Sequence, residues 1–347
     1  MKNKLLLLFF LLGVFFPLSA QESEVLISTS HTSLLLSTSQ GGELKFLYYG
    51  RKLTDADVHA IVSTESGSFS AYPVYGLNCP SESALSVQHE DGNMTLQMEV
   101  IGVETTHQEK ANLTVISLKD KVYPFYVKLC YKAYQDVDVI EAWTEISHKE
   151  KKNVKLNQFA SAYLPVRKGN VWLSSLYGAW ANEARLVQEP LEPGMKVIKN
   201  KDGVRNSHTA HAEVMFSLDG QPRENSGRVI GAALCYGGNY KLRIDTDESE
   251  YHHFYAGINE DNSVYHLKSG EVFKTPELAL TYSDEGLSGG SRNFHRWART
   301  YKLANGDKLR KILLNSWEGV YFKINESGMK QMMADIYKGE IQGVITK

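Results

Sequence analysis

Lys311-Ile312-Leu313-Leu314-Asn315-Ser316-Trp317-Glu318-Gly319-Val320-Tyr321-Phe322, close to the C-terminal end of the sequence, decides how the rest is read. Ile312 to Ser316 reads as a short buried strand that runs straight into a Trp-Glu pair. Asn325 then stands where a helix N-cap would. Met329, Met332, Met333 and Ile336 follow at i, i+3, i+4 and i+7, the spacing of one helical face. Gly339 is placed to end that helix, and Val344-Ile345-Thr346 offers a second short strand. Strand, loop, helix and strand is the opening of a β/α domain.

Upstream the pattern is different. From Val25 to about Tyr282 the apolar period is two: Met94, Leu96, Met98 and Val100 alternate with polar neighbours, as do Val127, Leu129 and Tyr131. Turn signals separate such runs at Gln40-Gly41-Gly42, Glu90-Asp91-Gly92-Asn93, Gly237-Gly238-Asn239 and Lys268-Ser269-Gly270. So many short strands predict two large packed antiparallel sheets rather than a small barrel. Ser288 to Lys302 then carries Phe294, Trp297, Ala298 and Tyr301 at helical spacing, a helix bridging the sandwich to the C-terminal β/α segment.

Residues 1–20 read as a cleaved signal peptide: Lys2 and Lys4, an apolar core from Leu5 to Phe16, and a small residue, Ala20, before Gln21. Such a core is too short to span a bilayer. The mature chain is therefore expected to be exported, periplasmic or extracellular, with no membrane span. Losing the two lysines takes the formal net charge from −2 to −4, and no basic patch suggests nucleic acid. Cys79, Cys130 and Cys235 are expected to be three buried thiols without a disulfide.

Several motifs carry less than they promise. Gly286-Leu287-Ser288-Gly289-Gly290 fits G-x-S-x-G, but a serine hydrolase needs an acid and then a histidine further along, and only His295 follows. A Gly-rich turn with a capping serine is the expectation. His208, His211 and Glu213 form a short His-x-x-His-x-Glu run, and His252-His253 is a second pair. Neither has the spacing of a helical metal motif, and adjacent strand histidines face opposite ways. Polar loop histidines, no metal and no cofactor are expected. The aromatic residues say more. A Trp face suits the apolar side of a sugar ring, with carboxylates and amides taking the hydroxyls. If Ile312 to Ser316 is a barrel strand, Trp317 and Glu318 lie at the end where such barrels place their sites.

Read in order, a set of stretches along the mature chain resembles glycoside hydrolase family 36, the bacterial α-galactosidases. They are Ala71-Tyr72-Pro73-Val74-Tyr75-Gly76, Gly178-Ala179-Trp180-Ala181-Asn182-Glu183, and Ser269-Gly270-Glu271-Val272-Phe273-Lys274-Thr275-Pro276-Glu277. Tyr282-Ser283 through Gly286-Leu287-Ser288, with Phe294-His295, resembles the family's hinge. Asn315-Ser316-Trp317-Glu318 with Tyr321-Phe322 resembles the opening of its barrel.

The resemblance implies a mainly β chain: a large antiparallel β-supersandwich followed by the first βα unit of a (β/α)8 barrel that is incomplete here. The expected division is a signal peptide over 1–20, the sandwich over 21–287, a helical linker over 288–310 and the barrel start over 311–347. The implied activity is retaining hydrolysis of terminal α-D-galactosyl residues from galacto-oligosaccharides or galactomannans, which needs two carboxylates about 5–5.5 Å apart. In the family both are aspartates on later barrel strands, and an Asp-Asp-Gly-Trp run binds galactose; neither that run nor the catalytic pair is found in residues 1–347. The chain by itself is therefore expected to be an inactive fragment. Trp317 and Trp180 match positions that line the galactose pocket and reach the substrate, and they are the candidate binding residues; no residue is assigned a catalytic role. The sequence departs from the family around Asn78 to Glu82, which leaves linkage preference and the contacts of a homo-oligomeric parent open. The alternative is a non-catalytic carbohydrate-binding β-sandwich.

Overall fold

The long alternating strands assemble into one sheet of nine strands in the order Asn182–Pro190, Trp172–Ala179, Ala210–Ser217, Val229–Leu234, Leu278–Ser283, Val139–His148, Phe125–Tyr134, Ala111–Asp120 and Met98–His107, all neighbours antiparallel. A short strand, Val272–Lys274, adds to Val139–His148. The computed structural model describes residues 23–64, 69–76, 82–166, 168–206, 208–311, 313–337 and 345–346. Residues 1–20, Cys79 and Gly339 lie outside the described residues, so the leader and the helix stop stay as sequence expectations.

Three smaller antiparallel sheets complete the β region. One holds Ser23–Ser28, Thr32–Thr38, Leu44–Arg51 and Phe69–Ser70. Another holds Tyr265–Leu267, Val154–Phe159 and Leu85–Gln88. The last runs Ala162–Val166, His252–Ile258, Tyr240–Thr246 and Gly194–Lys199. Period-two burial drives the packing. Val127 and Leu129 are buried on either side of an exposed Lys128, so one face of the strand is removed from water. Phe216 of the long sheet meets Phe254 of the last sheet edge-on at 5.1 Å, and both are fully buried. Leu36, Leu85, Ile116, Tyr240 and Leu280 belong to the same apolar cluster, so all four sheets share one core.

The helix expected from Ser288 begins slightly earlier, over Gly286–Trp297, and continues as a π-helical turn over Ala298–Lys302. It lies against the outer face of the long sheet: a Cβ on Gly231 would stand 2.7 Å from the Phe294 ring. A second helix, Asp55–Thr64, breaks the expected all-β run. Its signal is local. Thr54 Oγ1 accepts from Asp57 N–H while Asp57 Oδ2 accepts from Thr54 N–H, a reciprocal cap written in Thr54-Asp55-Ala56-Asp57.

Contacts divide the chain at Trp297/Ala298 into two compact units. In the second, Leu313–Leu314 pairs parallel with Ile345–Thr346, and Glu326–Tyr337 forms the helix between them. Parallel strands need such a crossover, which makes this a strand–helix–strand unit. Asn325 does cap the helix: its Oδ1 accepts from Gly328 N–H at 2.8 Å and from Ser327 Oγ at 2.8 Å. Two expectations fail here. The described strand is Leu313–Leu314 rather than Ile312 to Ser316, and Leu313 is exposed rather than buried. The methionine face of the helix is partly open, with Met329 and Met332 half-buried and Met333 exposed.

Candidate functional site

Trp180 sits at the tip of the hairpin between Trp172–Ala179 and Asn182–Pro190, and the local backbone explains why it projects. Tyr177 and Ala179 flank a register shift. At Gly178 the facing strand comes so close that a Cβ would lie 2.6 Å from Asn182 O and 2.6 Å from Glu183 Cα; only glycine fits there. Ala181 has φ 60°, and its N–H donates to Glu183 Oε1 at 3.1 Å. The turn therefore carries the indole away from the sheet, leaving Trp180 84% exposed. Trp297, by contrast, is 7% exposed. A large aromatic face held in water by a built turn is a surface suited to a flat apolar ligand face.

Trp317 belongs to the second unit. It begins the short helix Trp317–Val320 just past the end of Leu313–Leu314, with Ser316 buried at the N-cap. Its N–H donates to Asn315 Oδ1 at 3.1 Å. The indole meets Tyr321 edge-on at 5.5 Å and Phe322 at 4.9 Å, with Trp317 43%, Tyr321 53% and Phe322 88% exposed. The end of the strand thus carries an open aromatic cluster. Glu318 has its backbone in this helix, and its side chain lies outside the described atoms.

The remaining motifs resolve into structure. Ser288 is not a cap: it lies inside the helix and donates to Glu224 Oε1, while the helix start is held by backbone carbonyls. Gly286, Leu287 and Ser288 N–H donate to Gly227, Arg223 and Glu224 carbonyls at 2.9, 3.1 and 2.9 Å, which satisfies the orphan donors of the first turn. His295 is exposed on that helix.

His252 and His253 are not loop histidines. Both lie on the strand His252–Ile258 and are buried, facing opposite ways. His252 bridges Thr246 Oγ1 and the Gly169 carbonyl, each at 2.9 Å, and burial lowers its pKa. His253 joins Tyr163 OH at 2.7 Å to Asp247 Oδ2 at 3.2 Å. Every ring nitrogen of the pair has a partner, so both are structural. Among the described residues no three His, Cys, Asp or Glu side chains converge as a metal site would require.

Of the two described cysteines the expectation of burial holds at Cys130, where burial pushes the thiol up to about 12, and fails at Cys235, which is exposed at the end of Val229–Leu234. Sequence reasoning also passed over a cleft of about 200 Å³ beside that strand, lined by Asn206, His211, Glu213, Ala233 and Tyr236. Its only local signal was His211 and Glu213 two residues apart, hence on one face of a strand.

Known families match this architecture. Residues 42–268 match the glycosyl hydrolase family 36 N-terminal domain, and residues 272–345 match the melibiase model. The chain is 32% identical over 231 residues to α-galactosidase Mel36A of Lactobacillus acidophilus, covering 66% of this chain and 31% of that protein. It is 30% identical over 273 residues to α-galactosidase AgaA of Geobacillus stearothermophilus, covering 74% of this chain and 37% of that one. The solved AgaA structure aligns with TM-score 0.82 at 24% identity, over 94% of this chain and 50% of that chain; a variant of AgaA solved with stachyose aligns with TM-score 0.85 over 93% and 50%. The chain thus spans about a third of the length of the curated relatives it matches. With its sandwich and the start of its β/α unit matched in sequence and in fold, the chain belongs to glycosyl hydrolase family 36.

Proposed function

We propose that this chain supplies the sandwich and the barrel-opening segment of an exported, retaining α-galactosidase acting on terminal α-D-galactosyl residues of galacto-oligosaccharides or galactomannans. The observation that supports this most is the continuity of the two family matches, 42–268 and 272–345, across a sandwich that passes into a parallel strand–helix–strand unit. The relatives matched over this region carry the name α-galactosidase. The leader pattern over residues 1–20 supports export.

In this reading one carboxylate attacks the anomeric carbon while a second protonates the departing glycosidic oxygen; water then releases galactose from the covalent intermediate, with the second group acting as base. Residues 1–347 contain no Asp-Asp-Gly-Trp run. The part assigned to them is recognition: Trp180 in the first unit and Trp317 in the second each expose an indole face of the kind that takes the C–H side of a sugar ring. Glu318 is not assigned a role in bond cleavage.

The test is direct. The purified 347-residue chain is expected to bind raffinose but release no nitrophenol from p-nitrophenyl α-D-galactoside. Turnover that survives Glu318→Gln would overturn the placement of the chemistry outside these residues. The coding sequence immediately after Lys347 separates the two readings. An in-frame Asp-Asp-Gly-Trp supports the enzyme, whereas raffinose binding without such a continuation supports a carbohydrate-binding sandwich.

A further inference from the structure

Strand Ala210–Ser217 turns its alternate residues to opposite sides. Ala210, Val214 and Phe216 enter the core, so His211, Glu213 and Met215 face outward. Helix Gly286–Trp297 covers the Met215 end of that face, where a Cβ on Gly290 would stand 3.7 Å from Met215 Sδ. Beyond the helix the face is open, and a cleft of about 200 Å³ lies there.

Its lining is mixed in a particular way. Glu213 is half exposed, with Oε1 3.5 Å from His211 Nδ1. Among the described residues His211 Nε2 is buried without a hydrogen-bond partner, an arrangement that calls for an explanation in a folded protein. Asn206 donates from its amide to the Tyr236 carbonyl at 3.1 Å. The Tyr236 ring is held over Gly238, where a Cβ would stand 2.7 Å from it. An aromatic face, a carboxylate, an imidazole and an amide around one small concave space form a site for a neutral polyhydroxylated ligand rather than for an ion.

The cleft also adjoins the Trp180 hairpin. Tyr177 pairs with Ala210 in the ladder, and Gly178 N–H donates to the Thr209 carbonyl at 3.1 Å. We propose that the cleft of Asn206, His211, Glu213 and Tyr236 is a saccharide subsite, taking a sugar unit next to the one that Trp180 faces, with Glu213 accepting its hydroxyls and Tyr236 covering its C–H face. The proposal rests on the α-galactoside reading for the identity of the sugar, not for the existence of the site.

The experiment is titration calorimetry on the full 347-residue chain with raffinose and, separately, with maltotriose as a galactose-free trisaccharide. The isosteric Glu213→Gln should weaken raffinose binding about tenfold, the scale of one lost hydrogen bond to a charged group, with an unchanged melting temperature. Raffinose binding that is lost in Trp180→Ala but unchanged in Glu213→Gln overturns the subsite and leaves the α-galactoside reading standing. Maltotriose binding that depends on Glu213, without raffinose binding, supports the subsite and overturns the galactose assignment. Binding of neither sugar overturns the subsite. If Glu213→Gln lowers the melting temperature, NMR of the unaltered chain decides: raffinose must shift the His211 ring signals and leave those of exposed His31 in place.

Discussion

Gly286 lies against the carbonyl of Arg223, so close that a Cβ on it would stand 2.5 Å from that oxygen and 2.6 Å from Ser226 N. Gly286 also has φ 66°. The loop around residues 223–227 thereby acts as the N-terminal cap of the helix that closes the sandwich. Gly286→Ala is expected to cost roughly 2–4 kcal/mol, combining left-handed strain with a backbone clash. Urea unfolding followed by circular dichroism measures it, and a loss under about 0.5 kcal/mol, the scale of an ordinary surface change, would show the contact is dispensable.

Phe254 and Phe216 join two sheets by an edge-on contact at 5.1 Å. Phe254→Ala is expected to destabilise the first unit by about 3–5 kcal/mol, because the cavity is walled by strands that cannot collapse into it. The same denaturation series reads this. A much smaller cost would show that the sheets slide to fill the space.

Asp261 is held down to a pKa of about 2, first by its hydrogen bond from Lys199 Nζ at 2.5 Å and then by Lys241. Since the folded value lies below the unfolded one, the carboxylate contributes stability above about pH 4, and that contribution disappears as pH falls towards 2. Asp261→Asn should therefore cost about 1 kcal/mol near neutral pH, after allowance for its partial exposure. The gap between variant and parent should close in acid. A pH-independent gap would place the effect elsewhere than in the ionised carboxylate.

Cys130 and Cys235 should differ sharply towards iodoacetamide. With its thiol pushed up to about 12 by burial, Cys130 has on the order of one part in ten thousand as thiolate at pH 8. Cys235 is exposed and should be alkylated first. Peptide mapping after brief labelling of the native chain checks the order. Equal labelling at both sites would mean that the Phe125–Tyr134 strand opens readily.

Trp180→Ala should leave stability within about 0.5 kcal/mol of the parent, because the indole is 84% exposed. If the indole is a sugar platform, the change should weaken raffinose binding about tenfold, the effect of one lost aromatic face. Loss of stability with intact binding would recast the residue as structural.

Much of the architecture is legible in the sequence. Alternation at Val127, Leu129 and Tyr131 and the turn at Gln40-Gly41-Gly42 mark strands because the side-chain period and turn chemistry are local properties. The Asn325 cap and the strand–helix–strand order at the C-terminal end came out for the same reason. The Thr54 cap was equally local and was missed against a background of period-two pattern.

What tertiary structure alone decided are the relations between distant segments. Trp180 and Trp297 look alike in sequence, yet a pinched hairpin exposes one and a helix–sheet contact buries the other. His252 and His253 read as polar residues, and only their partners Gly169, Thr246, Tyr163 and Asp247 make them part of the interior. The cleft at Glu213 exists because the helix covers one end of a sheet face and not the other. Period, caps and leader are set by neighbours along the chain. Burial and partnership are set by which strands lie side by side, and a ladder pairing Ala210 with Tyr177 leaves no trace in either local stretch.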